Sequence, residues 1–286
     1  MKTIRIGTRK SLLAMKQTEM TAEAIKKAYP DIYIEIVEMT TKGDKILDKP
    51  LLDIGGKGLF ITEFEKAMRD GLIDIAVHSG KDIPNTCEKD FGICAVLKRG
   101  NPKDCIVSRK DTGIPDNSVI GTGSLRRKTL IKRLYPKCEV KNLRGNVPTR
   151  IKKLKDGEYD AIILACAGLE RLEIKDECLN IMPFDEIDFV PAASQGIIAV
   201  EALKSSEVFE ILKKIDNEKT HFEFDTERLL MSYLGADCHE SAGAFAKTKG
   251  DYVDITCFYK NSDIITKRFL KIKIKEEIRK IAEGLL

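Results

Sequence analysis

Short apolar runs alternate along the chain with longer segments whose apolar positions recur every three to four residues. This is the pattern of strands feeding helices in an α/β fold with largely parallel sheets. Residues 4–7 read as a strand, 11–28 as a helix that stops before Tyr29-Pro30, and 32–39 as a second strand. A helix over 62–70, Gly71 and a strand over 73–77 follow.

The composition changes at Lys98-Arg99-Gly100-Asn101-Pro102, which reads as a linker. Beyond it, Val119-Ile120 runs into Gly121-Thr122-Gly123-Ser124 and a helix over 125–134. A strand over 139–143, a helix with Pro148 in its first turn, and a continuous apolar strand over 161–165 complete a second set of strand–loop–helix units. Residues 190–203 return the chain to the first set. A helix over 220–234, strands over 252–258 and 264–274, and a final helix from Glu276 suggest a small α+β unit. The expected domains are 1–98 with 191–214, then 99–190, then 215–286.

With 286 residues, 43% hydrophobic and 33% charged, the composition is that of a globular protein with room for two or three cores. No apolar stretch reaches membrane-helix length, and the N-terminal MKTIRIGTRKS has no apolar signal core, so the expected location is the cytosol. The eight cysteines form no C-x-x-C pair, and most read as small buried hydrophobes, Cys166 in IILACAGL most plainly. With three histidines, no metal site is expected.

A net charge of +4 does not argue for nucleic acid, but its distribution is uneven. Twelve basic residues lie between Ser124 and Lys155 against the single acid Glu139. The lysines suit a solvated helix face, whereas several arginines sit where strands end. A nucleic-acid surface needs interleaved aromatic residues, and only Tyr135 lies in this tract.

Ligands of open α/β sheets bind beyond the carboxyl ends of strands. Four polar loops fall there: Thr8-Arg9-Lys10-Ser11, His78-Ser79-Gly80-Lys81-Asp82, Gly121 to Arg127, and Arg144-Gly145-Asn146. Their arginine forks and hydroxyls imply a ligand with several separated anionic groups. Asp82 is the acid/base candidate, although a turn or cap aspartate fits the same position. Gly55-Gly56-Lys57-Gly58 reads as a lid over a cleft, with Lys57 able to reach in, or as an ordinary loop. Cys238, in the polar run Asp237-Cys238-His239-Glu240, is a nucleophile, a covalent anchor or an incidental thiol.

Taken in order, IGTRKSLLA, TTKGD, GGKGLF, DIAVHSGKDIP, GTGSLRR, LRGNVPTR, YDAIILACAGLERL, PAASQG and LGADCHESAG resemble the porphobilinogen deaminase (hydroxymethylbilane synthase) family along nearly the whole chain. The resemblance implies three α/β domains, the first two like a periplasmic binding protein with mainly parallel sheets, plus a small α+β C-terminal domain. It implies a transferase of tetrapyrrole (haem) biosynthesis that condenses four porphobilinogen molecules head to tail, with loss of ammonia, to hydroxymethylbilane. A dipyrromethane cofactor held by Cys238 through a thioether is implied, with Asp82 as the catalytic group. Lys81, Thr122, Ser124, Arg126, Arg127 and Arg144 then match cofactor-binding positions. Arg9, Ser11, Arg150, Arg171, Lys57 and Gln195 match substrate-binding ones. A monomer without nucleic-acid, membrane or metal partners is expected.

Gly80, Gly123, Ser194 and the Ala236-Asp237 pair depart from the family's commonest residues without removing a charged or covalent group. The alternative is a non-catalytic two-lobed anion-binding protein of the same domain pattern.

Overall fold

The computed structural model describes residues 3–40, 61–84, 88–110, 113–236 and 240–286. The chain forms two compact units, Met1–Gly100 with Ile197–Phe222 and Asn101–Gly196 with Glu223–Leu286.

In the first unit, β1 (Thr3–Arg9) leads through α1 (Leu12–Ala28) to β2 (Tyr33–Met39), and α2 (Thr62–Arg69) leads to β3 (Ile75–Ser79) and β4 (Phe91–Val96). The second unit carries β5 (Asp104–Arg109), β6 (Val119–Gly121), α3 (Leu125–Leu134), β7 (Glu139–Lys141), α4 (Val147–Lys155), β8 (Ala161–Ala165), α5 (Cys166–Arg171) and β9 (Leu179–Pro183). The chain then gives the first unit β10 (Ile198–Leu203) and α6 (Glu207–Leu212). It ends in α7 (Glu218–Tyr233), β11 (Ala242–Lys249), β12 (Tyr252–Tyr259), β13 (Ile265–Leu270) and α8 (Ile274–Leu285).

The two five-stranded sheets are built alike, in the orders β2-β1-β3-β10-β4 and β7-β6-β8-β5-β9. In each, the first three strands are parallel and the fourth is reversed. The reversed strand, β5 or β10, is the first one formed after the chain crosses from the other unit. A third, antiparallel sheet has the order β11-β12-β13. The α/β class with parallel-rich sheets and a small extra α+β portion is thus as expected.

Both faces of each large sheet are buried, which explains the unbroken apolar strands. Ile75 and Val77 of β3 pack on one face with Ile4, Ile6 and Ile25. Ala76 lies on the other face with Phe64 and Met68 of α2. Ile162 and Leu164 of β8 likewise pack with Leu154 and Leu169, while Ala161 and Ile163 join Leu130 and Ile131 of α3 and Phe245 and Phe258 of the small sheet.

Some boundaries differ from the sequence reading. The strand expected over 73–77 runs instead over Ile75–Ser79, because Ile73 closes the turn after α2, its N–H donating to the Ala67 carbonyl at 3.4 Å. The strand expected to reach 274 stops at Leu270, where a single 3-10 turn, Lys271–Lys273, leads into α8 at Ile274, ahead of the Glu276 start expected from the sequence.

Two carboxylates of α7, one turn apart, are buried against the edge of the small sheet. Glu223 accepts the Thr248 N–H at 2.9 Å, and Glu227 accepts the Ala246 N–H at 2.7 Å and the Ser194 N–H at 2.5 Å. Ser194 has φ +62° and is buried, with its Oγ unpartnered among the described residues. A left-handed conformation costs a non-glycine residue roughly 1–2 kcal/mol, which the bond to Glu227 offsets. Ser194→Gly is therefore expected to raise unfolding stability by about 1 kcal/mol, read as a higher urea midpoint at constant m. A lower midpoint would show that the buried hydroxymethyl group contributes more packing than its backbone costs.

Candidate functional site

In the first unit, β1 and β3 are adjacent and parallel, with Ile6 opposite Ile75. The segments after their C-terminal ends therefore share one sheet edge, where α/β proteins bind ligands. Arg9 ends β1 half-buried, and the Ser11 hydroxyl accepts the Ala14 N–H at 3.3 Å, capping α1. Leu12 beside it is 62% exposed. β3 passes into a single 3-10 turn, Gly80–Asp82, with Lys81 half-buried and Asp82 exposed. Gln17 of α1 and Ser79 are within hydrogen-bond distance, Gln17 Nε2 donating to Ser79 Oγ at 2.9 Å. The structure therefore brings Arg9, Ser11, Lys81 and Asp82 to one edge.

In the second unit, β6, β7 and β8 end at a common edge, and the reversed β5 begins there, with Asp104 opposite Ala165. Asp104 is fully buried and holds three of the sequence candidates. Arg126 Nη1 donates to its Oδ2 at 2.7 Å and to the Val190 carbonyl at 2.6 Å. Arg127 donates to Oδ1 through Nε at 3.0 Å and Nη2 at 2.7 Å, and through Nη1 to the Ile163 carbonyl at 2.9 Å. Gln195 Nε2 donates to the same Oδ1 at 3.1 Å and to the Pro102 carbonyl at 2.7 Å.

The remaining candidates surround this knot on neighbouring loops. Thr122 is buried after β6, its Oγ1 accepting the Ser124 N–H at 3.2 Å, and Ser124 Oγ accepts the Arg127 N–H at 3.4 Å to cap α3. A Cβ on Gly123 would lie 3.1 Å from the Leu143 carbonyl, so these two loops touch. Arg144 follows, half-buried, and Gly145 next to it has φ +112°, with its pro-Cβ position 2.8 Å from Thr149. Only glycine fits that turn. Arg150 of α4 donates from Nε to the Gly145 carbonyl at 2.7 Å, and Arg171 Nη2 donates to the Gly196 carbonyl at 2.6 Å, next to Gln195. Lys57 and Cys238 lie outside the described residues.

Cationic charge here exceeds its internal counter-charge. Arg144 Nη1 is buried with no hydrogen-bond partner among the described residues. Burial pushes the Arg171 guanidinium down to about 10, only partly opposed by Glu170. Burial also pulls Arg126 below the usual arginine value, Asp104 acting the other way. Only the Nη1 of Arg126 is bonded among the described residues, which leaves its Nε–Nη2 edge for a carboxylate. An uncompensated guanidinium is costly in an interior and is relieved by an anionic ligand.

Sequence reasoning missed Asp104. Its only signal was an acidic residue opening the apolar run Cys105-Ile106-Val107. It also missed Gln17, which reads as an ordinary polar position of an amphipathic helix. Of the six described free cysteines, Cys94, Cys105, Cys138, Cys166 and Cys257 are buried and Cys178 is exposed.

The family profile described as "Porphobilinogen deaminase, dipyromethane cofactor binding domain" matches residues 4–210. The chain belongs to the porphobilinogen deaminase family. Its relatives of that name include one from Acetivibrio thermocellus, 44% identical over 257 residues that cover 90% of this chain and 87% of the relative. Another, from Rickettsia bellii, is 45% identical over 249 residues, covering 85% and 82%. Among solved structures, the periplasmic VFT2 domain of Bordetella pertussis BvgS is 14% identical with a TM-score of 0.47, covering 75% of this chain and 86% of that one.

The porphobilinogen deaminase cofactor, a dipyrromethane, carries several carboxylates, and the donor set fits it. Arg126, Arg144 and Arg171 present guanidinium groups that exceed the internal carboxylates available to them. Asp104→Ala strands two buried guanidinium groups and is expected to cost about 3–5 kcal/mol in urea unfolding. A loss below about 1 kcal/mol, the range of an ordinary neutral hydrogen bond, would show that the ion pairs are not the unit described.

Proposed function

We propose that this member of the porphobilinogen deaminase family condenses four porphobilinogen molecules head to tail, releasing one ammonia at each joining, with Asp82 as its catalytic group. The observation that supports this most is the surplus of buried and half-buried guanidinium groups around the Asp104 edge. A tetrapyrrole gains two carboxylates with every ring, and an array of separate cationic forks answers that need better than a single pocket.

The covalently held dipyrromethane supplies the pyrrole carbon to which the first substrate ring is joined. Within the chain, Lys81, Thr122, Ser124, Arg126, Arg127 and Arg144 are assigned to its acetate and propionate groups, and Cys238 to the thioether. Arg9, Ser11, Arg150, Arg171, Lys57 and Gln195 are assigned to the incoming ring. These groups fix the reacting carbons relative to each other, which lowers the entropic part of the barrier.

The position of Asp82 supports this role. Its carboxyl group is exposed at a sheet edge on a backbone turn held by the Gly80 N–H donating to the Ile197 carbonyl at 2.9 Å and the Ile83 N–H donating to the Gly80 carbonyl at 3.3 Å. An Asp82 oxygen gives a proton to the departing amine nitrogen. Once ionised, it faces the positive charge that develops on the substrate ring. It then accepts the proton lost from the ring carbon that forms the new bond. One carboxyl group thus serves each cycle and ends in the state in which it began. The reading places the enzyme in the cytoplasm as a monomer.

Intact mass is expected to exceed the chain mass by two linked pyrrole units after expression in cells that make the substrate, and Cys238→Ser is expected to abolish the excess. An unmodified wild-type mass would contradict the covalent cofactor. Asp82→Asn is expected to fold and to lose about 10²–10⁴-fold in turnover; near-normal turnover removes Asp82 from its role.

A further inference from the structure

The steps above leave one buried cluster of ionisable side chains without a task. His78 and Glu201 lie on the neighbouring antiparallel strands β3 and β10, in a register that sets His78 opposite Ala199 and Ala76 opposite Glu201. They meet diagonally across the seam, His78 Nε2 and Glu201 Oε2 being 3.0 Å apart. Glu201 is wholly buried and His78 is 8% exposed. The second oxygen of Glu201, Oε1, is buried with no partner among the described residues.

Among the described residues, the surroundings of the pair carry few other charges. From α2 come Glu65, which is buried, and Arg69, with the Phe64 ring edge-on to the imidazole at 5.5 Å and 90°. Burial, then the charge of Glu201, raises the Glu65 carboxyl above its usual range, while Arg69 and His78 oppose this. From β4, on the other side of β10, the titratable group is Cys94, whose thiol burial pushes up to about 12. A single-partnered carboxylate in such a place is poor value for stability, and an apolar pair would pack there at less cost.

Its place in the fold suggests what it does. From His78, β3 runs through Ser79 directly into the turn that carries Lys81 and Asp82, and Gly80 is anchored to Ile197 at the mouth of the same β3–β10 seam. On the opposite sheet face, Ser79 is held by Gln17, its Oγ donating back to Gln17 Oε1 at 3.1 Å. The base of the turn is thus tied on both faces, once by a neutral pair and once by an acid–imidazole pair.

We infer that His78 and Glu201 are positioning residues for Asp82, a buried hydrogen-bonded pair that fixes the strand seam from which the Asp82 turn projects. They act through the backbone of β3 and touch no substrate. The inference rests on the role given to Asp82 above, and its test uses a readout that does not depend on that role.

The full-length protein is compared with His78→Asn, Glu201→Gln and the double variant by amide hydrogen exchange and by steady-state kinetics with porphobilinogen. The Gly80 and Ile83 amides are expected to exchange about tenfold faster in each variant, while the Ile6 amide in β1 keeps its protection. Turnover is expected to fall about tenfold to a hundredfold in kcat with KM little changed. The double variant should be no worse than the worse single one, because the pair acts as a unit. Glu201→Gln keeps side-chain shape and serves if His78→Asn does not fold. Unchanged exchange at Gly80 and Ile83, or equal loss of protection at Ile6, overturns the inference. Faster exchange at the turn without loss of kcat also overturns it. If Asp82→Asn itself retains normal turnover, the assignment of Asp82 fails, and that result is read separately from the exchange data.

Discussion

The contact on which the second unit depends is the buried carboxylate of Asp104 between the guanidinium groups of Arg126 and Arg127. Two adjacent cations on the first turn of a helix repel each other, and taking them out of water costs free energy. One aspartate, placed at the start of a reversed strand, makes the arrangement tolerable. It also draws in Gln195 from the segment just before the chain leaves the unit. Because one charge balances two, the knot stays electropositive. That imbalance leaves cationic charge at this edge beyond what Asp104 neutralises.

The same logic of position recurs in both units. Each large sheet has parallel strands ending at one edge and a reversed strand beginning there. Side chains from non-consecutive parts of the sequence therefore reach that edge without long loops. Arg9 and Asp82 come together this way, as do Thr122, Arg144 and Asp104. Parallel pairing costs loop length in helices, and the helices in turn cover both sheet faces, which keeps the edges as the polar rims of two otherwise apolar layers.

Much of this was legible in the sequence. The helices expected over 11–28 and 125–134, and the one with Pro148 in its first turn, showed in the apolar period, and the structure adds their caps: Ser11, Ser124 and Asn146 accept the Ala14, Arg127 and Thr149 N–H groups. The polar loops at strand ends were visible as glycine, hydroxyl and arginine runs. Less legible were features that exist only through distant partners. β5 opens with an aspartate, and β11 runs from small residues around Phe245 into Lys247-Thr248-Lys249, so neither has a strong strand pattern alone. Asp104, Glu201 and Glu227 are acidic residues among apolar ones, and nothing local shows that an arginine pair, an imidazole or a backbone N–H waits across the fold. Arg126 and Arg127 read from sequence as ligand contacts of equal standing, whereas Arg127 makes three internal bonds and Arg126 keeps an edge open.

The two glutamates of α7 have a consequence for the company this protein keeps. A β-strand at a sheet border displays a row of amide hydrogens that any extended peptide can extend into a longer ribbon. On β11 those of Ala246 and Thr248 are already consumed by carboxylates from inside the same chain, so that border is sealed by the molecule itself. The opposite border, β13, carries Lys267 and Arg268, charges that discourage an incoming strand. The small sheet is thereby guarded at both rims against fusing with its copies, a safeguard suited to an antiparallel sheet that ends after three strands.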